Sequence, residues 1–200
     1  MNTHCMPAFV ETSDVVVRDL HREEVPDLQA LFDSNPGYFL LVGSQLPRPD
    51  EAQREFDEMP PASLTFERRW FAGVFDRQRT LQGHVNVLSD FCAPGVWHIA
   101  LFFLANALHG TGVAARLHDA LEARARSSGA SWLRLGVVIG NVAAERFWSK
   151  CGYLDVRTRE IATASGQLKT ARVLVKPLAG GAIADYLQLV PRDEPGSNLP

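Results

Sequence analysis

Residues 107–117 read ALHGTGVAARL, with glycines at 110 and 112. An apolar stretch, VWHIALFFL at 96–104, precedes them and reads as a strand. A helix follows, with Val113, Leu117 and Leu121 on one stripe, and Gly129 caps its end. The first N–H groups of a helix have no partner within it, and the helix dipole makes that end attractive to anions. Glycines let a phosphate reach the backbone with no Cβ in the way. HGTGVA therefore reads as a phosphate cradle, although a loop that only needs flexible residues has the same composition.

A dinucleotide is one rival ligand, because GTGVAA matches the GxGxxA form of the Rossmann fingerprint. Two details weigh against it. Ala105 to His109 separate the strand from Gly110, and the next strand, WLRLGVVIG at 132–140, has no acid to hold a ribose.

The rest of the chain alternates strands and helices, which points to a mixed α/β layer fold. DVVVRDL (14–20) reads as a strand and HREEVPDLQALFDS as a helix, broken at NPGYF. PRPDEAQREFDEM (47–59) reads as a polar helix whose Glu51, Glu55 and Glu58 form a solvated face. WFAGVFD (70–76) and LQGHVNVL (81–88) read as an antiparallel hairpin. GYLDVRTRE and TARVLVKP are the last strands, separated by a turn at TASGQ. Residues 1–13 read as a tail, 14–177 as one domain, and 178–200 as a C-terminal extension. Its apolar patch, IADYLQLV, suits a docked strand, a docked helix or a partner contact.

A second motif, GNVAAERFWSKCGY, follows the WLRLGVVIG strand. Here the chain resembles the GNAT superfamily of N-acetyltransferases. Its Gln/Arg-x-x-Gly-x-Gly/Ala motif corresponds to His109, Gly110, Thr111, Gly112, Val113 and Ala114. The family's Asn-x-x-Ala-x-x-Phe-Tyr-x-x-x-Gly-Phe pattern corresponds to Asn141, Ala144, Phe147, Trp148, Gly152 and Tyr153. Gly112 and Asn141 lie 29 residues apart, in the family's register. The resemblance spans roughly 15–176. It implies a GNAT-type fold with a central mixed sheet of about six to seven strands, splayed between the fourth and fifth and flanked by helices. His109 departs from the motif's Gln or Arg, and Trp148 from its Tyr.

The resemblance also implies a chemistry. Acetyl-CoA is the co-substrate, and an amine attacks its thioester directly. Pantetheine pairs with exposed backbone at the end of the fourth strand, here Phe103 and Leu104, with Asn141 at the mouth of the splay. An alkyl ammonium must first lose a proton, which costs about 4.6 kcal/mol at pH 7. The family's early fourth-strand base falls on His98, eleven residues before His109, a type that arylalkylamine acetyltransferases use there. Histidine is mostly neutral at pH 7 and can accept a proton. Trp148 cannot replace the family's acidic Tyr, since an indole N–H has no useful acidity. The acceptor is a small-molecule or peptide amine. Tyr38 and Phe39 line its site, and Asp90 and Phe91 are further candidates. A GNAT-like domain that binds acyl-CoA without turnover is the alternative reading, and a homodimer is compatible with the family.

Composition sets limits on partners. A formal net charge of −3 weighs against nucleic acid and anionic membranes. No apolar run approaches the roughly 20 residues of a membrane span, and the first residues carry no signal-peptide pattern. Three cysteines without CxxC spacing fit a reducing, cytoplasmic setting, and six scattered histidines argue against a metal.

Overall fold

A computed structural model describes residues 8–162 and 166–199. Eight strands form one sheet: β1 (Val10–Glu11), β2 (Val15–Asp19), β3 (Arg68–Asp76), β4 (Leu81–Ser89), β5 (Val96–Leu104), β6 (Trp132–Val138), β7 (Leu154–Ala162) and β8 (Leu168–Pro177). Their order is β1-β2-β3-β4-β5-β6-β8-β7. Among the described residues, only the β5–β6 pair runs parallel. The count exceeds the sequence expectation because Val10 and Glu11, read as tail, pair with Val17 and Val16 at the sheet edge. Residues 163–165 of the expected TASGQ turn lie outside the described residues.

Six helices flank the sheet: α1 (Val25–Ser34), α2 (Gly37–Gly43), α3 (Glu51–Asp57), α4 (Val113–Ser127), α5 (Val142–Lys150) and α6 (Ile183–Leu189). On one face α4 buries Val113, Leu117 and Leu121, the stripe expected from the sequence, in a core with Trp97, Ile99, Leu133 and Leu135. Fully burying a leucine side chain contributes about 1.5–3 kcal/mol. On the other face α1 places Leu28, Leu31 and Phe32 against Phe71, Phe75 and Phe103.

Three readings change. The NPGYF break holds only one bend, after which GYFLLVG forms α2. That helix exists because Phe39 packs edge-on to Phe32 (4.9 Å) and Tyr38 to Phe103 (5.5 Å). Helix α3 begins at Glu51 rather than Pro47. The IADYLQLV patch is the docked helix α6, whose Tyr186 is fully buried in a third cluster with Val96, Trp132 and Val175.

Two features of β5 position the site. It pairs with β6 only from Val96 to Ile99, opposite Trp132 to Leu135. Beyond that the strands part, and β6 continues along β8 alone. On the other side, Asn86 is opposite Leu101 while Val87 is opposite Ile99, so Ala100 is an extra residue, a β-bulge. The bulge reverses the side-chain alternation. Ile99 faces the α4 core, whereas Leu101 and Phe103 face the α1 and α3 side.

Candidate active site

The parting of β5 and β6 leaves a V whose edges are Ala100 to Leu104 and Gly136 to Val138. Ala100 and Gly136 are exposed in it, and a Cβ built on Gly136 would meet nothing within 4 Å. Strand backbone that faces no neighbour must find another partner. A linear amide chain such as pantetheine fits that need. Phe103 and Leu104 lie on the β5 edge as expected. Their side chains are buried on opposite faces; the Phe103 carbonyl points to Gly83 of β4 and the Leu104 carbonyl accepts from His109, so of this pair the Leu104 N–H is the group left facing the V.

The glycine loop lies at the open end of this V. His109 Nε2 donates to Leu104 O (3.1 Å), tying the loop to the strand end. Thr111 Oγ1 donates to Leu108 O (2.7 Å). Gly110 and Gly112 have φ of +76° and +84°, a region that L residues avoid, and no atom lies within 4 Å of a Cβ built at Gly110. Val113 and Ala114 open the fifteen-residue α4, whose first N–H groups face the loop. This cradle and the V fit a pyrophosphate followed by its pantetheine arm.

Asn141 caps α5, its Oδ1 accepting from Ala144 N (3.2 Å). Phe147 is half-buried and stacks on Phe102 of β5 (6.0 Å). Trp148 is buried among Phe102, His118 and Tyr153. Tyr153 donates to or accepts from His118 Nε2 (3.2 Å), and burial holds its phenol well above the usual range.

His98 occupies the closed end of the V, where β5 and β6 still pair. Its ring stacks on Phe91 (4.6 Å), and Nδ1 lies 3.2 Å from Arg134 O and 3.3 Å from Arg134 Nη1. Burial, then the Arg134 charge, pushes it down to about 3. It is neutral at pH 7, as expected. Yet an ammonium proton would climb on the order of 10 kcal/mol to reach so weak a base. The geometry therefore weakens the sequence assignment.

The α1 and α3 side holds what the sequence reading missed. Glu55 does not belong to a solvated face. Its Oε1 accepts from Asn86 Nδ2 (3.0 Å) and lies 3.8 Å from His84 Nε2. Arg69 Nη1 and Nη2 donate to the carbonyls of Phe56 and Glu55 (2.9 and 2.7 Å), and its Nε to Asn86 Oδ1 (3.1 Å). Burial works to raise the Glu55 carboxyl, but His84, Asn86 and Arg69 outweigh it and hold the group below the usual range. Tyr38 is half-exposed beside this group, and burial with the Glu55 and Glu51 charges raises its phenol. The signal available in the sequence was the polar His84 and Asn86 in an otherwise apolar strand.

The family model for the acetyltransferase (GNAT) family matches residues 25–153. The chain belongs to the GNAT acetyltransferases. No curated protein sequence matches it. The GNAT chain is similar in fold to an acetyltransferase from Thermus thermophilus, at 21% identity and TM-score 0.61, over 82% of this chain and 96% of that one. It is also similar to the ribosomal-protein-S18-alanine N-acetyltransferase from Escherichia coli (12%, 0.60, 84% and 96%). A third likeness is to spermidine N-acetyltransferase from Vibrio cholerae in complex with CoA and spermine (16%, 0.61, 84% and 98%). The observed splay is the one expected of a GNAT sheet, shifted in number to β5 and β6 by the edge strand β1. Among the described residues, no helix is long and apolar enough to cross a membrane, and no three potential metal ligands cluster.

Proposed function

We propose that this GNAT protein moves the acetyl group of acetyl-CoA to a small-molecule or peptide amine, which attacks the thioester directly. The observation that carries the reading is the V between β5 and β6 with bare glycine backbone at its open end. His109 to Ala114 would hold the pyrophosphate. The β5 edge would pair with pantetheine through the Leu104 N–H, whereas the Phe103 backbone, expected to share this role, faces β4. Asn141 has Oδ1 engaged in the cap, so its Nδ2 is the atom that would reach the arm, with Phe147 alongside. Tyr38 and Phe39, packed on Phe103, would form the apolar wall of the acceptor site. The spermine bound to the Vibrio cholerae enzyme supports a cationic amine as acceptor. A cytoplasmic setting fits the free thiols of Cys92 and Cys151.

The test is thermal unfolding with and without acetyl-CoA, using NAD as the control. A ligand that binds only the native state adds roughly 2.7 kcal/mol at a hundredfold excess over its Kd. We expect a raised midpoint with acetyl-CoA and none with NAD. No shift with millimolar acetyl-CoA would sink the reading.

A further inference from the structure

Gly112 is the N-cap of α4, and Arg116 follows one turn later. Side chains on a helix lean toward its N-terminus, so a long one at i+4 reaches back over residue i. The Arg116 guanidinium does so: a Cβ built on Gly112 would stand 2.8 Å from Nη1 and 3.7 Å from Cζ. Gly112 is therefore bare for two reasons, its φ of +84° and the cation above it. Other side-chain donors of the loop are spent within it. His109 Nε2 bonds to Leu104 O, and Thr111 Oγ1 donates to Leu108 O and accepts from Val113 N (3.4 Å). The helix dipole supplies roughly half a unit charge, well short of what a pyrophosphate carries.

We propose that Arg116 is a ligand of the acetyl-CoA pyrophosphate, supplying the side-chain donors that His109 Nε2 and Thr111 Oγ1 spend within the loop, and that Asp14 is the positioning residue that aims it. The inference rests on the acetyl-transfer reading above, in which the glycine loop holds that pyrophosphate. Asp14 lies in the turn between β1 and β2. Its Oδ2 accepts from Arg116 Nε (2.6 Å) and from Ser13 Oγ (2.9 Å). The bond to Arg116 holds the Asp14 carboxyl below its usual range and raises the guanidinium in turn. With Nε on Asp14, the Nη1–Nη2 edge is the one left for phosphate oxygens, and two parallel N–H groups suit them. A group aimed in advance gives up less side-chain freedom on binding. Arg77, paired with Glu11 (2.9 Å), also acts on Asp14, so the carboxylate stays compensated when Arg116 shares its charge with a phosphate.

Equilibrium binding tests the assignment. Acetyl-CoA and its 3′-dephospho form are titrated by calorimetry into wild type, R116Q, R116K, D14A and the R116Q/D14A double variant, at about 0.05 and 0.5 M KCl. R116Q should weaken both ligands equally, about 10- to 100-fold at low salt, with R116K recovering part because it restores the charge without the fork. The loss should shrink at high salt, where charge pairs are screened. D14A should weaken binding less than R116Q does, and only while Arg116 is present. The Asp14–Arg116 pair is half-exposed and adds little to the fold, so ligand-free thermal midpoints should stay close to that of wild type. A loss confined to acetyl-CoA would put Arg116 on the 3′-phosphate, and a loss unchanged by salt would make it a prop for the loop. Either result overturns the assignment, as does unaltered affinity in R116Q. A D14A effect that persists in the R116Q background overturns the role of Asp14. Failure of the wild type to bind acetyl-CoA is a separate result, which sinks the acetyl-transfer reading itself.

Discussion

His84 and His98 point to the same face of the sheet from neighbouring strands, but into different surroundings. His84 Nε2 lies 3.8 Å from a Glu55 carboxylate oxygen, whereas His98 lies against the Arg134 guanidinium. The sign of the second contact makes a prediction. The folded-state value of His98 is pushed down to about 3, below the 6.5 of an exposed histidine. Its neutral form therefore stabilises the fold fully above pH 6.5, and that share is lost as pH falls from 6.5 toward 3. H98Q should flatten the fall in thermal midpoint between pH 6.5 and 4. Buried His118, also shifted down, retains part of the acid sensitivity. An unchanged slope would mean that His98 is already solvated. His98 itself is legible in the sequence by counting back from the glycine motif. Its weakness as a base is not, because Arg134 arrives from 36 residues further along the chain. Glu55 is hidden for the converse reason. Glu51, Glu55 and Glu58 share the spacing of an exposed helical face, and only the tertiary approach of Asn86 and His84 buries part of it.

Elements with strong period were legible, and those fixed by contact were not. Strand β5 and the stripe of α4 follow directly from apolar runs and i, i+4 spacing. The Ala100 bulge leaves no mark in VWHIALFFL, since a fully apolar strand shows no alternation to break. Helix α2 is too short to declare itself against a Pro-Gly start and depends on Phe32 and Phe103 beneath it. The glycine loop is the element where local sequence and function coincide, and Gly110→Ala separates strain from cradle. With φ at +76° the substitution costs about 1–3 kcal/mol, or roughly 2–12 °C in a chain of this size. No protein atom meets the new methyl, so any further effect comes from a ligand at the backbone. We expect the KM for acetyl-CoA to rise at least tenfold in steady-state kinetics. An unchanged KM would place the pyrophosphate elsewhere.

At the scale of the whole molecule, the segment after Pro177 belongs to the core. Arg134, on the strand beside His98, is held by two hydrogen bonds to Asp193, Nε to Oδ2 at 2.7 Å and Nη2 to Oδ1 at 2.9 Å. Tyr186 Oη donates to the same carboxylate (2.5 Å), and Arg157 Nη1 donates to the carbonyls of Arg192 and Glu194 (both 2.8 Å). From the sequence, residues 178–200 read as an extension with one apolar patch, because a buried ion pair between residues 59 positions apart has no local signature. Burying both charges has a large desolvation cost that their mutual attraction only offsets, so the pair is worth little compared with an apolar replacement. Breaking it is different. Asp193→Asn leaves a guanidinium buried without its counter-charge, a loss of about 3–5 kcal/mol and roughly 6–20 °C in midpoint. Replacing both partners, Arg134→Met with Asp193→Leu, should restore most of that stability. Chemical denaturation of the three variants measures both effects. If Asp193→Asn alone cost under about 1 kcal/mol, a range typical of exposed ion pairs, the C-terminal segment would be a loose cover over the sheet rather than a part of it.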